Sequence, residues 1–176
     1  MRTHKTSNYR PDIDGIRAIA VLSVVAFHAF PSLVPGGFVG VDIFFVISGF
    51  LITQIIVAEL DSGNFKIRNF YSRRIRRIIP SLLVALVVAL ILGWILLLPE
   101  DFAQFGSVLA GSSVFITNFV LFAQVNYFDA AAVEKPLLHL WSLSIEEQFY
   151  IFWPVILIVI YRLRRFAFAI SFVLLF

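Results

Sequence analysis

Long uninterrupted apolar runs are the feature that most constrains how this chain folds. Five stand out, at about residues 13–30, 38–58, 81–98, 102–122 and 145–161, and a sixth begins at Phe166. The runs do not alternate between apolar and polar residues, as the strands of a membrane barrel would. Each of the five is near the roughly 20 helical residues that cross the hydrocarbon of a bilayer. The sequence therefore predicts an all-α, polytopic transmembrane helix bundle of about four to six apolar helices.

The composition agrees with a chain whose solvent is mostly lipid. Of its 176 residues, 60% are hydrophobic and only 14% are charged, whereas a soluble domain carries about a quarter charged residues. The absence of cysteine excludes thiol catalysis, disulfides and cysteine-based metal sites. The net charge of +3 does not indicate nucleic-acid binding, because the basic residues flank apolar runs, where they report orientation. We expect membrane lipid as a partner, and neither nucleic acid nor a metal ion.

Lysine and arginine are concentrated at three places: before the first run, between the second and third, and after the fifth. The positive-inside rule places these clusters, and with them the N-terminus, in the cytoplasm. Three candidate spans then lie between two cytoplasmic clusters, although the number of crossings must be even. We expect the weakest, 102–122, which Gly106 and Asn118 interrupt, not to cross, so that residues 99–144 lie outside. The alternative is that residues 162–165 lie outside, against the rule.

Arg17 and His28 are the first candidate site residues. They are eleven residues apart, which on a helix is about 16 Å along the axis and about 20° around it, so both lie on one face. Arg17 is either a topology anchor near the interface or a functional cation. A histidine within a span usually marks a functional path and is able to act as a general base, although a helix-packing hydrogen bond is the plainer alternative.

A basic run between the second and third apolar segments carries six lysines or arginines from Lys66 to Arg77. One interpretation is attraction to anionic lipid. The other is a phosphate clamp, because arginine binds phosphate through a planar fork of donors. Pro80 is predicted to lie in the first turn of the next helix, which would hold the arginines at a helix start that favours anions.

A second polar cluster, 136–150, leads into the fifth apolar run. Ser142 and Glu146 are four residues apart and are expected to share a helix face. Ser144 is instead a possible helix cap, with Glu147 completing a capping box. Capping does not account for three further residues of the cluster, which are His139, Trp141 and Glu146. Asp42, early in the second run, is either a buried acid or an interfacial residue.

Four segments, in order, resemble the motifs of the membrane acyltransferase-3 family of O-acetyltransferases. They are Tyr9–Arg17 followed by Phe27 and His28, then Pro35–Thr53, the arginine-rich Phe70–Pro80, and His139–Tyr150. The resemblance runs from about residue 9 to the end of the chain. It implies about ten spans in a bacterial inner membrane, in some members followed by an extracytoplasmic domain. Residues 1–176 would be the N-terminal part of that transmembrane domain, truncated in the sixth apolar segment at Phe176.

The resemblance implies transfer of an acetyl or other acyl group from acetyl-CoA or another acyl-CoA to hydroxyls of a cell-envelope polysaccharide, such as lipopolysaccharide O-antigen. No tightly bound cofactor is expected. His28 would be the base or a transient acyl carrier, and Glu146 would orient it or bind the acceptor hydroxyl. The expected site residues are His28 and Glu146 for catalysis; Arg17, Arg73, Arg74 and Arg77 for the donor; and Asp42, His139, Trp141 and Ser142 as support. The rival hypothesis is a transporter or lipid-binding scaffold, which would not consume the donor.

Overall fold

The computed structural model describes residues 10–124 and 136–175, with side chains as far as residue 164. The described residues form helices and connecting turns and contain no strand, which confirms the all-α prediction. The elements are α1 (Pro11–Ala29), a short 3-10 turn (Gly37–Val39), α2 (Gly40–Asp61), α3 (Ile67–Leu96), α4 (Pro99–Ser113), α5 (Thr117–Ala123) and α6 (Leu140–Leu175).

Three helical stretches of the described chain are long and apolar enough to cross a membrane. They are Gly37–Asp61, Ile67–Leu96 and Leu140–Arg164. Helix α1 is not among them. It has 19 residues, and any 18 consecutive residues of it contain Asp12, Asp14 and Arg17. Its length, about 28 Å, still matches the thickness of a bilayer core.

The N-terminus of α1 carries its own charge arrangement. Asp12 and Asp14 lie in the first turn, where negative charge complements the helix dipole. The Arg10 guanidinium donates to Asp12 at 2.6 Å, and this hydrogen bond lowers the pKa of the exposed Asp12 carboxyl to about 2. The start of the helix is therefore ionised at any physiological pH.

The weak fourth apolar run is broken into α4 and α5. The break lies at residues 114–116, where Phe115 has a φ of 58°, a left-handed conformation that is uncommon for a bulky residue. With 15 and 7 residues, neither helix is long enough to span. The structure thus divides this run into two short helices, whereas the expectation that it does not cross and that residues 99–144 lie outside stays a prediction.

Two predicted helix boundaries were wrong. Helix α3 begins at Ile67, so Pro80 lies inside it and the arginines occupy its early turns rather than a loop before it. The apolar residues around 145–161 and those after Phe166 form one helix, α6, although three of the four residues at 162–165 are arginines. Arginine is a good helix former, and a proline frees a backbone carbonyl without necessarily ending a membrane helix.

The chain divides into two compact units between Gln54 and Ile55, and each is described by itself. In the first unit, the start of α2 approaches the backbone of α1. A Cβ on Gly37 would lie 2.3 Å from the carbonyl oxygen of Ser23, and one on Gly40 would lie 2.4 Å from that of Ala20. Only glycine fits such a contact, and small residues are what membrane helices use for close packing.

In the second unit, α3 and α6 are antiparallel. The Tyr71 hydroxyl donates to the carbonyl oxygen of Ile151 at 2.6 Å, while Leu82 and Leu86 form a buried cluster with Leu140 at the other end of the contact. The basic start of α3 and the basic stretch 162–165 therefore lie towards the same end of the helix pair. That arrangement is what an even number of crossings between the two clusters requires.

Candidate functional site

His28 lies in the last turn of α1 with a defined ring orientation. Its Nδ1 is 2.8 Å from the carbonyl oxygen of Val24, one turn earlier, and its ring meets Phe27 edge to face. A carbonyl oxygen only accepts, so Nδ1 carries a proton, and in the neutral ring Nε2 is then the nitrogen with the lone pair. His28 is exposed, and its hydrogen bond stays within its own helix. The ring therefore presents Nε2 as a base or nucleophile.

Arg17 lies on the same continuous helix as His28, as the eleven-residue spacing predicted. Its guanidinium is half-buried and 3.7 Å from the Asp14 carboxylate, one turn earlier. Asp42 lies in the first turn of α2 and is exposed. The buried-acid interpretation of Asp42 is therefore wrong, because a carboxylate at a helix start is stabilised by the dipole without burial.

The three predicted donor-binding arginines of α3 have different surroundings. Arg73 donates to Glu59, near the end of α2, at 2.8 Å. Arg77 is exposed. Arg74 is half-buried, and its guanidinium carbon lies 4.6 Å from the centroid of the Tyr150 ring and 5.8 Å from that of Phe70. Of the three, Arg74 is the one with a described cation–π contact to α6.

Two acidic residues of α6 complete this cluster. The Tyr150 hydroxyl donates to the Glu146 carboxylate, so the structure brings Glu146 next to Arg74 through Tyr150. Glu147 is only 8% exposed, and no described residue donates to its buried Oε1. Both glutamates lie within electrostatic reach of Arg74. The sequence interpretation missed Tyr150 and assigned Glu147 only a capping role; the four-residue spacing from Glu146 to Tyr150 was the signal for the first.

The first turn of α6 holds the remaining predicted residues. His139 and Trp141 are exposed, and the Ser142 hydroxyl donates to the carbonyl oxygen of His139 at 3.0 Å. These residues precede Glu146 by between one and two turns.

A buried polar network that the sequence analysis did not foresee docks α5 on α6. Ser144 lies inside α6, so the capping-box alternative is wrong; its hydroxyl donates to the carbonyl of Leu140 and accepts from the Thr117 backbone N–H at 3.2 Å. The Gln148 amide donates to the carbonyl of Phe115 at 2.7 Å and to the side chain of Asn118 at 2.9 Å. Polar residues inside a span often join helices in this way.

Within the part of the chain that the structure describes, no three histidine, aspartate or glutamate residues come together as a metal site. The structure therefore describes two candidate groups, each within its own unit: the exposed His28 in the first, and a cluster of arginine, tyrosine and glutamate in the second. Together with the long apolar helices, these features define a polytopic membrane protein with polar groups inside its helical framework.

Comparison with known proteins identifies the family. A family model described as an acyltransferase domain matches residues 10–176, and the chain belongs to that family, as its motifs indicated. It is 42% identical to the peptidoglycan O-acetyltransferase OatA of Listeria monocytogenes over 159 residues, which are 89% of this chain and 25% of that protein. It is also 42% identical to the putative peptidoglycan O-acetyltransferase YrhL of Bacillus subtilis over 161 residues, 89% of this chain and 25% of that protein.

A putative O-acetyltransferase of Staphylococcus aureus is similarly related, at 42% identity over 157 residues, 88% of this chain and 26% of that protein. The chain thus spans about a quarter of the length of the curated relatives it matches. No solved structure matches it significantly.

Proposed function

We propose that this chain is the N-terminal part of a membrane O-acyltransferase that moves an acetyl group from acetyl-CoA to hydroxyl groups of a cell-envelope polysaccharide. The observation that carries the proposal is His28, whose Nε2 is free and exposed on α1 of a chain that belongs to the acyltransferase family. Polar groups in a span are costly and usually functional. We further propose an inner-membrane protein with its N-terminus in the cytoplasm, where the donor is found.

The proposed chemistry needs one proton acceptor. In direct transfer, Nε2 of His28 takes the proton of the acceptor hydroxyl while the oxygen attacks the thioester carbonyl. The C–S bond then breaks and the coenzyme leaves as a thiolate, which recovers the proton. In the carrier route, Nε2 attacks the thioester itself and releases the thiolate. In a second step the hydroxyl oxygen takes the acetyl group from Nε2, and the hydroxyl proton goes to the thiolate. The hydrogen bond from Nδ1 to Val24 fits both routes.

The acyl-CoA donor is proposed to be held through its phosphates by Arg77 and Arg73, with Arg17 and Arg74 adding positive charge. Arg77 is exposed and Arg73 shares only one side of its guanidinium with Glu59, so both have donors left for phosphate. Glu146 is proposed to act on the acceptor side, supported by its hydrogen bond from Tyr150. The roles of His139, Trp141 and Ser142 at the start of α6 remain those of substrate support.

The acceptor is proposed to be peptidoglycan rather than lipopolysaccharide O-antigen. Two of the relatives are named as peptidoglycan O-acetyltransferases, one of them putatively. Both polymers present secondary and primary hydroxyls, so the chemistry at His28 would be the same for either. The choice of acceptor therefore rests on the relatives and not on the site.

The test is transfer by the full-length protein in proteoliposomes supplied with radiolabelled acetyl-CoA and peptidoglycan fragments. The expected result is ester-linked acetyl on the glycan, released by mild base, together with free coenzyme A. O-antigen oligosaccharide in place of peptidoglycan separates the two acceptors. A protein that leaves acetyl-CoA intact with every acceptor would instead be a transporter or a lipid-binding scaffold.

A further inference from the structure

The cluster between α3 and α6 contains an acceptor that no described residue satisfies. Glu147 is 8% exposed and its Oε1 is buried, yet no described residue donates to it. A buried carboxylate oxygen without a donor is costly, and such groups are rare in folded proteins. The neighbouring Glu146 differs, because Tyr150 already donates to it. Of the two glutamates, Glu147 is therefore the one with a buried oxygen that is still able to accept a hydrogen bond.

The same cluster contains unused donors. The guanidinium carbon of Arg74 lies 4.6 Å from the centroid of the Tyr150 ring, and no described residue accepts a hydrogen bond from any of its five N–H groups. Arg74 and Arg77 both lie within electrostatic reach of Glu147, but no ion pair with Glu147 is described for either of them. A donor and an acceptor thus lie near each other without meeting.

The charges of this cluster indicate what kind of group fits between them. Two guanidinium groups, Arg74 and Arg77, and two carboxyl groups, Glu146 and Glu147, lie within electrostatic reach of one another here. An anion placed here would meet two carboxylates, and a cation would meet two guanidiniums. The cluster is suited to a neutral group that offers one N–H donor to Glu147 and one oxygen acceptor to Arg74.

We propose that Glu147 and Arg74 bind a secondary amide, whose N–H donates to Glu147 Oε1 and whose carbonyl oxygen accepts from Arg74. The inference rests on the proposed function, which supplies two sources of that chemistry. The pantetheine arm of acyl-CoA contains two secondary amides, and the acetamido groups of peptidoglycan sugars contain the same unit. Glu147 is then a substrate-binding residue, and Arg74 contacts the amide while the more exposed Arg77 is left for phosphate.

The donor arm of the test uses the full-length protein in proteoliposomes and acetyl-CoA analogues in which each pantetheine amide is replaced in turn by an ester. The ester keeps the carbonyl and loses the N–H. For one of the analogues, the half-saturating concentration of the wild type is expected to be about tenfold or more above that for acetyl-CoA. This is the effect of one lost hydrogen bond to a charged group. Glu147→Ala is expected to use amide and ester donors alike, and Glu147→Gln, which keeps a neutral acceptor, to lie between them.

The acceptor arm compares N-acetylated with N-deacetylated peptidoglycan oligosaccharides in the same assay. If the Glu147 substitutions change the preference between these two acceptors and not the preference between amide and ester donors, the bound amide belongs to the glycan. Glu100→Ala, an exposed acid of α4, is the control and should discriminate as wild type does. If the membrane does not accept Glu147→Ala, Glu147→Gln alone decides. Discrimination that is unchanged by the Glu147 substitutions in both arms overturns the amide site, whereas a wild type without acetyl transfer overturns the proposed function instead.

Discussion

The contact of α1 with α2 and the contact of α3 with α6 solve the same packing problem by opposite means. In the first, Gly37 and Gly40 let backbone meet backbone, and the described hydrogen bond of His28, the proposed base or carrier, stays within α1. In the second, Arg74, Tyr150 and Glu146 form the contact themselves. Lipid offers helices no hydrophobic reason to associate, so both close approach and polar pairing are used.

The difference determines how substitutions should act. Around α1, different residues serve helix packing and the proposed chemistry. A substitution there is expected to remove activity without loss of stability, or to lower stability without removing His28. Between α3 and α6, the residues that pack are also those proposed to meet the substrate, so a substitution there is expected to alter both. The predictions below test this separation with the full-length protein, in order of expected effect.

His28→Ala should abolish glycan acetylation while membrane insertion and stability stay near those of wild type. Removing a general base lowers rates by about a hundredfold to ten-thousandfold, and the described hydrogen bond and ring contact of His28 both stay within α1. The measurement is acetyl transfer per inserted molecule, with thermal unfolding in detergent alongside. Val25→Ala, an exposed position on the same helix, is the control. Normal product from His28→Ala at normal expression would remove His28 from the mechanism.

Replacing Arg73, Arg74 and Arg77 together by lysine should raise the half-saturating acetyl-CoA concentration about ten- to a hundredfold, because lysine keeps the charge but loses the bidentate fork. A cluster that only set orientation would tolerate lysine. Among the single variants, Arg73→Lys should matter least, since a lysine is still able to pair with Glu59.

Donor titration in proteoliposomes of neutral lipid measures this effect without an anionic surface. The matched control is Arg76→Lys, which changes an exposed arginine of the same helix turn. An unchanged half-saturating concentration in the triple variant would place the phosphate site elsewhere, for instance nearer Arg17.

Gly40→Ala should lower the stability of the protein by about 1–3 kcal/mol, the usual cost of overpacking. The added Cβ would lie 2.4 Å from the Ala20 carbonyl oxygen and 2.8 Å from a methyl of Val24, and the first of these is backbone that cannot rotate away. Gly106→Ala in α4 is the control: nothing lies within 4 Å of its new Cβ, and alanine favours the helix by up to about 1 kcal/mol. The midpoint temperature of thermal unfolding should therefore fall in Gly40→Ala and rise in Gly106→Ala. Equal shifts would show that α1 and α2 do not pack through Gly40.

The sequence predicted the helices well because continuous apolar runs report burial in lipid directly, one residue at a time. The predicted start of α3 was wrong because proline is typical of the first turn of a helix, whereas the polar residues before Pro80 favour helix equally well. The arginine motif and His28 could be recognised as candidates from residue type alone. The contact of Arg74 with Tyr150 could not be predicted. These residues are 76 positions apart in the chain, and they meet only because of the relative offset of α3 and α6.

Ser144→Ala tests the weakest of these contacts, the docking of α5 on α6. Ser144 is 1% exposed and accepts from the Thr117 backbone N–H, so its loss leaves a buried donor of the α5 N-terminus unpaired. Hydrogen bonds between membrane helices contribute about 0.6 kcal/mol on average, and we expect a destabilisation of about 0.5–1.5 kcal/mol. Ser113→Ala is the control, because that exposed hydroxyl bonds only the Ala110 carbonyl of its own helix. If the midpoint temperature of thermal unfolding falls no further in Ser144→Ala than in Ser113→Ala, α5 is held on α6 by Gln148 and the apolar contacts alone. A larger shift, accompanied by a fall in acetyl transfer, would extend the coupling of packing and chemistry from α3 and α6 to α5.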